Sequence, residues 1–381
     1  MTARPRILDL SFSTLTLDAR VLRQLSIVTE FGHITTCGYG LATPFSDDHI
    51  RIPDGQPSLP QTLAGVTNLV LHRHHAADLQ APGARAVLGE LLSRRFDLVV
   101  ANDARALPLA AAVARDAPIW VDLHEWAPEE RTHVTSWRLL VSPWIDHVCR
   151  EYLPKTAAQT TVGRRIAQLY ERHYGVAPQV MRNAAAYADL VPSPVSEDGP
   201  LCLVHSGAAV PGRSIESMMT AVLEAGDDFA LDLFLLPGGD SGRYLARLKS
   251  LAAGIDQITF NDPVKPSELP LALNPYDVGA FWIPPFNTNA RLTLPNKLFD
   301  FIQARLGVAV GPSVEMADIV KEFGLGTVSK SFEIPAIKDS LQSLTKQAVR
   351  EYKQAAHAAA QPLSFEAESE VARGILAQLL P

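Results

Sequence analysis

Strand-like and helix-like segments alternate along this chain, stop at a stretch without periodicity, and then alternate again. Few architectures accept that pattern: each strand needs a crossover helix, and the chain can restart only as a second domain. In the first run, Ile7–Phe12 reads as a strand, and Val21, Leu22, Leu25 and Val28 mark one helix face. Strands are expected next at Ile34–Cys37, Leu69–His72, Leu98–Ala101, Ile119–Leu123 and Gln179–Met181. A helix over Arg164–Tyr174, closed by Gly175, precedes the last of them. Ala188–Pro200 is rich in Pro, Ser, Asp and Glu and reads as a linker. Beyond it, strands are expected at Leu201–His205, Leu231–Leu235, Ile258–Phe260, Val278–Ile283 and Val308–Val310. Ile215, Met218, Met219 and Val222 form a helical stripe, and Ser340–Leu380 reads as helix with a break near Gln361-Pro362.

The 381 residues suffice for two ordinary α/β domains, and 47% apolar content supports two cores. The expected layout is a domain over 1–187, a linker over 188–200, a second domain over 201–360, and a helix over 361–381 returning to the first. A net charge of −7 gives no electrostatic reason to expect nucleic acid as a partner. Cys37, Cys149 and Cys202 are odd in number and far apart, which suits a reducing cytosol rather than a disulfide framework. Met1–Arg6 runs into the first strand without a signal-type apolar core, and no apolar run reaches membrane-spanning length.

Pro295-Asn296-Lys297-Leu298-Phe299-Asp300 opens an amphipathic helix after Asn287-Thr288-Asn289. Free N–H groups at a helix start attract anions, and Lys297 adds a full positive charge. Asp300, one turn on, is placed to accept hydrogen bonds from sugar hydroxyls. Arg213 follows Gly212 and precedes a helix, where a guanidinium can clamp phosphate oxygens; an exposed helix-start arginine is the plainer alternative. His124 follows Asp122 and Trp120 on one strand face, at the strand end where α/β sheets bind ligands.

These segments resemble the retaining GT-B glycosyltransferases of family 4, which build bacterial polysaccharides and glycolipids. Leu17–Leu22 is similar to that family's D-x-R-V helix start, and Phe96–Asp103 to its strand ending in A-H-D, with Asn102 in place of the histidine. Val121–Glu125 matches D-x-H-E, and Gln179–Asn183 resembles V-I-x-N. Leu203–Gly207 with Gly212-Arg213 matches the phosphate loop, and Leu294–Asp300 is similar to L-P-N-K-L-F-E. The family's paired glutamates fall on Leu292 and Asp300, so the first position lacks its carboxylate. Its Gly and Pro after this helix fall on Arg305 and Gly307, and Ser11–Thr16 lacks the glycines many members carry.

The resemblance implies the GT-B fold, two doubly wound Rossmann-like domains facing each other across a cleft. It implies transfer of a sugar from a nucleotide diphosphate sugar, a UDP- or GDP-sugar, to a saccharide, lipid-linked or small-molecule acceptor. Retention and independence of metal and other cofactors come with it. Catalysis would rest on His124, Arg213 and Lys297. Donor binding would use Gly207, Arg213, Val264, Asn289, Pro295, Asn296, Lys297 and Asp300. Asp103, His124 and Glu125 would face the acceptor, although Asp103 and Glu125 serve equally well as helix-start residues. The implied setting is the cytoplasm, at the inner face of the plasma membrane for a lipid-linked acceptor. A GT-B epimerase or hydrolase, or a non-catalytic sugar-nucleotide binder, is the alternative.

Two further groups stand outside that pattern. His72, His74 and His75 could bind a metal, but their neighbour Asp78 adds little, and a solvated strand end or acceptor loop is the plainer reading. Trp126, Trp137 and Trp144 with Leu139, Leu140 and Val141 could touch a membrane. Basic neighbours are sparse, which favours a buried helix instead.

Overall fold

In a computed structural model, residues 4–292 and 294–380 are described; Met1, where the first strand was read to begin its approach, lies outside them. The chain divides into two compact units. The first comprises Met1–Arg182, Asn287–Asn289 and Glu368–Pro381, and the second Asn183–Phe286 and Ala290–Ala367.

The first unit is built on seven parallel strands: β1 Arg6–Thr14, β2 His33–Tyr39, β3 Asp48–Arg51, β4 Leu98–Asn102, β5 Ile119–Leu123, β6 Ala158–Thr161 and β7 Gln179–Val180. Their order is β3-β2-β1-β4-β5-β6-β7. The second unit holds β8 Leu201–Ala209, β9 Phe229–Pro237, β10 Ile258–Asn261, β11 Val278–Phe281, β12 Gly307–Val310 and β13 Gly326–Val328, in the order β10-β9-β8-β11-β12-β13. Both sheets are parallel throughout. Parallel strands covered on both faces read as continuous apolar runs, as Leu98–Ala101 and Val308–Val310 do, and both runs are fully buried. In each sheet the chain reverses direction beside its first strand, between β1 and β4 and between β8 and β11. Such a switch point opens a crevice at the carboxyl ends of the strands, where ligands bind.

One expected strand is a helix. Leu63–Val70 is helical, with Thr62 accepting a 3.0 Å hydrogen bond from the Gly65 N–H at its start. The apolar run Leu69–Leu71 is too short to separate strand from helix, and Leu63, Val66, Leu69 and Val70 fall at helical spacing. His72 follows in a left-handed turn at φ 52°. The edge strand beside β2 is instead Asp48–Arg51, whose mixed sequence carries no alternation. Val278–Ile283 shortens to Val278–Phe281, and the C-terminal helical region is cut by Ser343–Thr345 as well as at Gln361.

The stretch 188–200 runs without helix or strand, as its composition implies. Arg305 pins its start. At φ 63° it occupies a backbone conformation that suits glycine, and its fully buried guanidinium bonds the carbonyls of Ala188 (2.6 Å), Gln303 (2.7 Å) and Ile302 (3.2 Å). Trp126, Trp137 and Trp144 are all buried, and no helix among the described residues is long and apolar enough to cross a membrane.

Candidate functional site

In the first unit, the residues after β4 and β5 gather at the switch point. Asp122, fully buried on β5, is the hub. The Arg20 guanidinium grips it through Nε to Oδ2 and Nη2 to Oδ1, both at 2.7 Å, and the Thr160 hydroxyl donates to Oδ1 at 2.6 Å. Arg20 also donates to the Met181 carbonyl at 3.0 Å. Asp18 holds the helix Ala19–Val28 that presents Arg20, accepting from the N–H groups of Arg20 and Val21 at 3.2 Å. The D-x-R-V and D-x-H-E segments therefore meet in one buried ion pair. Arg20 and Asp122 were not singled out as site residues, although each is a position of its motif, the arginine of D-x-R-V and the aspartate of D-x-H-E.

His124 Nε2 lies 3.4 Å from Asp122 Oδ2, an ion-pair distance without hydrogen-bond alignment. Burial disfavours its charged form, but the carboxylates of Asp122 and Asp103 outweigh that and raise its pKa. Burial likewise pushes Asp122 up, and Arg20 and His124 overcome it, holding Asp122 well below the usual carboxylate range. Asp9, buried on β1, is driven the other way by burial and by repulsion from Asp122 and Asp18. Its Oδ1 accepts from Asn102 at 3.0 Å, while Oδ2 has no partner.

Asp103, at φ 75°, gives its N–H to the Asp122 carbonyl at 2.8 Å, so its backbone strain is held by the strand beside it. Near it lie Glu125, Glu130 and Arg105. Burial, then the charges of Asp103 and Glu130, raise the Glu125 carboxyl to about 8, which leaves it protonated at neutral pH. Arg105 binds both oxygens of Glu130 at 2.9 Å. The turn at Glu125 is fixed by Tyr170, whose hydroxyl donates to the Glu125 carbonyl at 2.8 Å and accepts from the Ala127 N–H at 3.1 Å. Asn289 packs with this unit: it accepts from the Trp126 N–H at 2.9 Å and donates to the Trp126 carbonyl at 3.1 Å.

In the second unit, β8 ends at the other switch point. Gly207 sits at φ 137°, and a Cβ there would overlap the end of the Lys297 side chain, so glycine is required for that lysine to cross the strand end. Lys297 lies in the first turn of the helix Asn296–Gln303, capped by Pro295 without a side-chain bond, so the first N–H groups remain available. Arg213 leads into the helix Ile215–Ala225 through Gly212 (φ 88°) and Ser214 (φ 51°). Its guanidinium makes one long bond, 3.4 Å to the Ala208 carbonyl.

Burial and repulsion from Arg213 lower the Lys297 ammonium to about 8, with Asp300 opposing. His205, buried behind it and bonded to the Ala280 carbonyl at 2.8 Å, is pushed down to about 3 by burial, Lys297 and Arg213, and is neutral. The Ser206 hydroxyl is buried without a partner. Neither Lys297 nor Arg213 has a carboxylate at ion-pair distance among the described residues. Two cations, a helix start and an unsatisfied hydroxyl make a site for an anion.

Pro295, Asn296 and Asp300 share the Lys297 helix start, while Val264 is half-buried in the loop after β10. Leu292 is a buried apolar residue, so no carboxylate is supplied at that position. His205 and Ser206 fall within the Leu203–Gly207 segment matched to the phosphate loop, but sequence reasoning gave neither of them a role.

No family model matches this chain, and no curated protein matches it. Solved structures do. HepE from Anabaena, in complex with UDP and glucose, is 12% identical with a TM-score of 0.69, over 98% of this chain and 100% of that one. The sucrose-phosphate synthase of Thermosynechococcus elongatus is 13% identical with a TM-score of 0.67, over 99% of each chain. The lipopolysaccharide outer core galactosyltransferase WaaB, in its apo form, is 8% identical with a TM-score of 0.68, over 98% of this chain and 100% of that one. At these identities the likeness is one of fold, and that fold is GT-B.

Proposed function

We propose that this GT-B chain is a glycosyltransferase that takes a sugar from a nucleotide diphosphate sugar and places it on a saccharide, lipid-linked or small-molecule acceptor. The observation that carries the reading is the pair of cations, Arg213 and Lys297, neither with a carboxylate at ion-pair distance among the described residues, at the β8 end beside a helix start. When the bond from the anomeric carbon to the diphosphate breaks, negative charge grows on the departing oxygens. Fixed donors aimed there stabilise the transition state more than the ground state. The acceptor oxygen bonds to the anomeric carbon, and its proton passes to the departing phosphate, which requires no protein nucleophile and gives retention. With Arg213 and Lys297 supplying the charge, the reading calls for no metal ion or other cofactor.

The uridine nucleotide is the preferred donor, because HepE is held in complex with UDP and with UDP-glucose; a guanosine nucleotide is the second choice. In the first unit, His124 would serve the acceptor and the reacting carbon, with Glu125 as a protonated carboxyl and Asp103 beside it. Polysaccharide or glycolipid synthesis in the cytoplasm, at the inner membrane face when the acceptor is lipid-linked, is the setting this chemistry suits.

Buried Leu292, where a carboxylate would contact the donor sugar, favours a second reading as a sugar-nucleotide binder without transfer. A thermal-shift panel of UDP-, GDP-, ADP- and dTDP-sugars, followed by product analysis with and without acceptors and with chelator, separates the two. Stabilisation by one nucleotide class, with acceptor-dependent release of its diphosphate unchanged by chelation, is expected. Stabilisation without release would favour the binder, and no stabilisation by any of them would sink both readings.

A further inference from the structure

The H-x-H-H segment acquires in the folded chain a partner that its sequence neighbourhood lacks. His75 lies in a single helical turn, His74–Ala77, that Asp78 closes, and His147 reaches them from the helix Ser142–Tyr152. His75 Nδ1 lies 3.1 Å and His147 Nε2 3.6 Å from Asp78 Oδ2, and one donor atom from each of the three residues falls within 4.8 Å of the others. Donors about 2.0–2.1 Å from a tetrahedral ion stand about 3.3 Å apart along each edge. Two of the three separations already fit that figure.

Asp78 is 5% exposed, and its only charge partners among the described residues are His75 and His147. The carboxylate is oriented by donors outside the histidine set: the Trp144 indole N–H to Oδ1 at 3.0 Å and the Tyr152 hydroxyl to Oδ2 at 2.7 Å. That is the support a metal-ligating carboxylate receives from its surroundings. His147 Nε2 is buried without a hydrogen-bond partner, as is His74 Nε2, and their rings stand 5.6 Å apart. His75 is exposed and gives an ion its entry path.

We propose that His75, Asp78 and His147 form a binding site for a divalent first-row transition ion of the zinc class, with His74, whose ring stands 5.6 Å from that of His147, as a further donor within the same cluster. Two imidazoles and a carboxylate are the donor set such ions take, whereas Mg²⁺ and Ca²⁺ prefer all-oxygen shells. The site owes nothing to the donor-site reading and stands whether or not the chain transfers sugar.

The test is calorimetry with Zn²⁺ on tag-free, chelator-treated full-length protein, paired with the visible spectrum of its Co²⁺ form. One equivalent of Zn²⁺ should bind and raise the melting temperature, and Co²⁺ should give the intense absorption of a tetrahedral site. His75→Ala, on the exposed side, should keep its fold and lose this binding, and His147→Ala should do the same. Tyr152→Phe, which removes only the orienting hydroxyl, should weaken affinity by about 10–100-fold. Absence of stoichiometric binding to the unaltered chain would overturn the proposal. So would affinity unchanged in both histidine variants.

Discussion

Lys297 is the residue on which the proposed donor site turns, and its chemistry makes a signed prediction. An ammonium lowered to about 8 is charged at neutral pH and loses its proton as pH rises through that value. An anion beside it favours the protonated form, so the complex keeps that proton to higher pH than the free protein does. UDP affinity should therefore be flat towards neutral pH and fall above about 8, approaching about tenfold per unit. Lys297→Arg, charged at every accessible pH, should remove that fall. Calorimetry from neutral to alkaline pH checks both, and an identical pH profile in the two proteins would show that the proton in question is not on Lys297. His205 does not share this behaviour: pushed down to about 3, it stays neutral across the range, bonded to the Ala280 carbonyl of β11.

At the scale of elements, the helix Ala19–Val28 and strand β5 are tied by Arg20 and Asp122, each almost wholly buried. Removing Arg20 strips buried Asp122 of its bidentate cation and leaves it only His124 and the Thr160 hydroxyl, so Arg20→Met should cost about 3–5 kcal/mol of stability in urea unfolding followed by tryptophan fluorescence. Arg20→Met with Asp122→Leu should recover much of it; if the double variant is no more stable than the single one, the ion pair is not what links these elements. This pairing explains what the sequence could and could not disclose. Continuous apolar runs announced β4, β5 and β12, because burial on both faces demands them. Strand β6 stayed hidden because Ala158–Thr161 is polar, and its Thr160 is there to bond Asp122. Leu69–Leu71 misled because three apolar residues carry no period. Lys297, Arg213 and His124 were legible from position next to glycine, proline or a strand end. Arg20, Arg105, Glu130 and His147 were not, since each works on a partner far along the chain that only folding brings near.

At the scale of the whole molecule, the two units carry different chemistry. The second presents two cations with no carboxylate at ion-pair distance among the described residues, suited to a diphosphate. The first presents a histidine held by a buried aspartate, with a protonated carboxyl nearby, suited to a sugar hydroxyl. The measurement that tests this division most directly is calorimetric UDP binding set beside initial transfer rates for the unaltered chain, Arg213→Ala and His124→Ala. Arg213→Ala should weaken UDP binding and lower turnover by about 10²–10³, the loss expected for one electrostatic donor at a leaving group. His124→Ala should lower turnover far more than it weakens UDP binding. If His124→Ala loses nucleotide affinity in proportion to rate, or Arg213→Ala binds and turns over like the unaltered chain, the division of labour is contradicted.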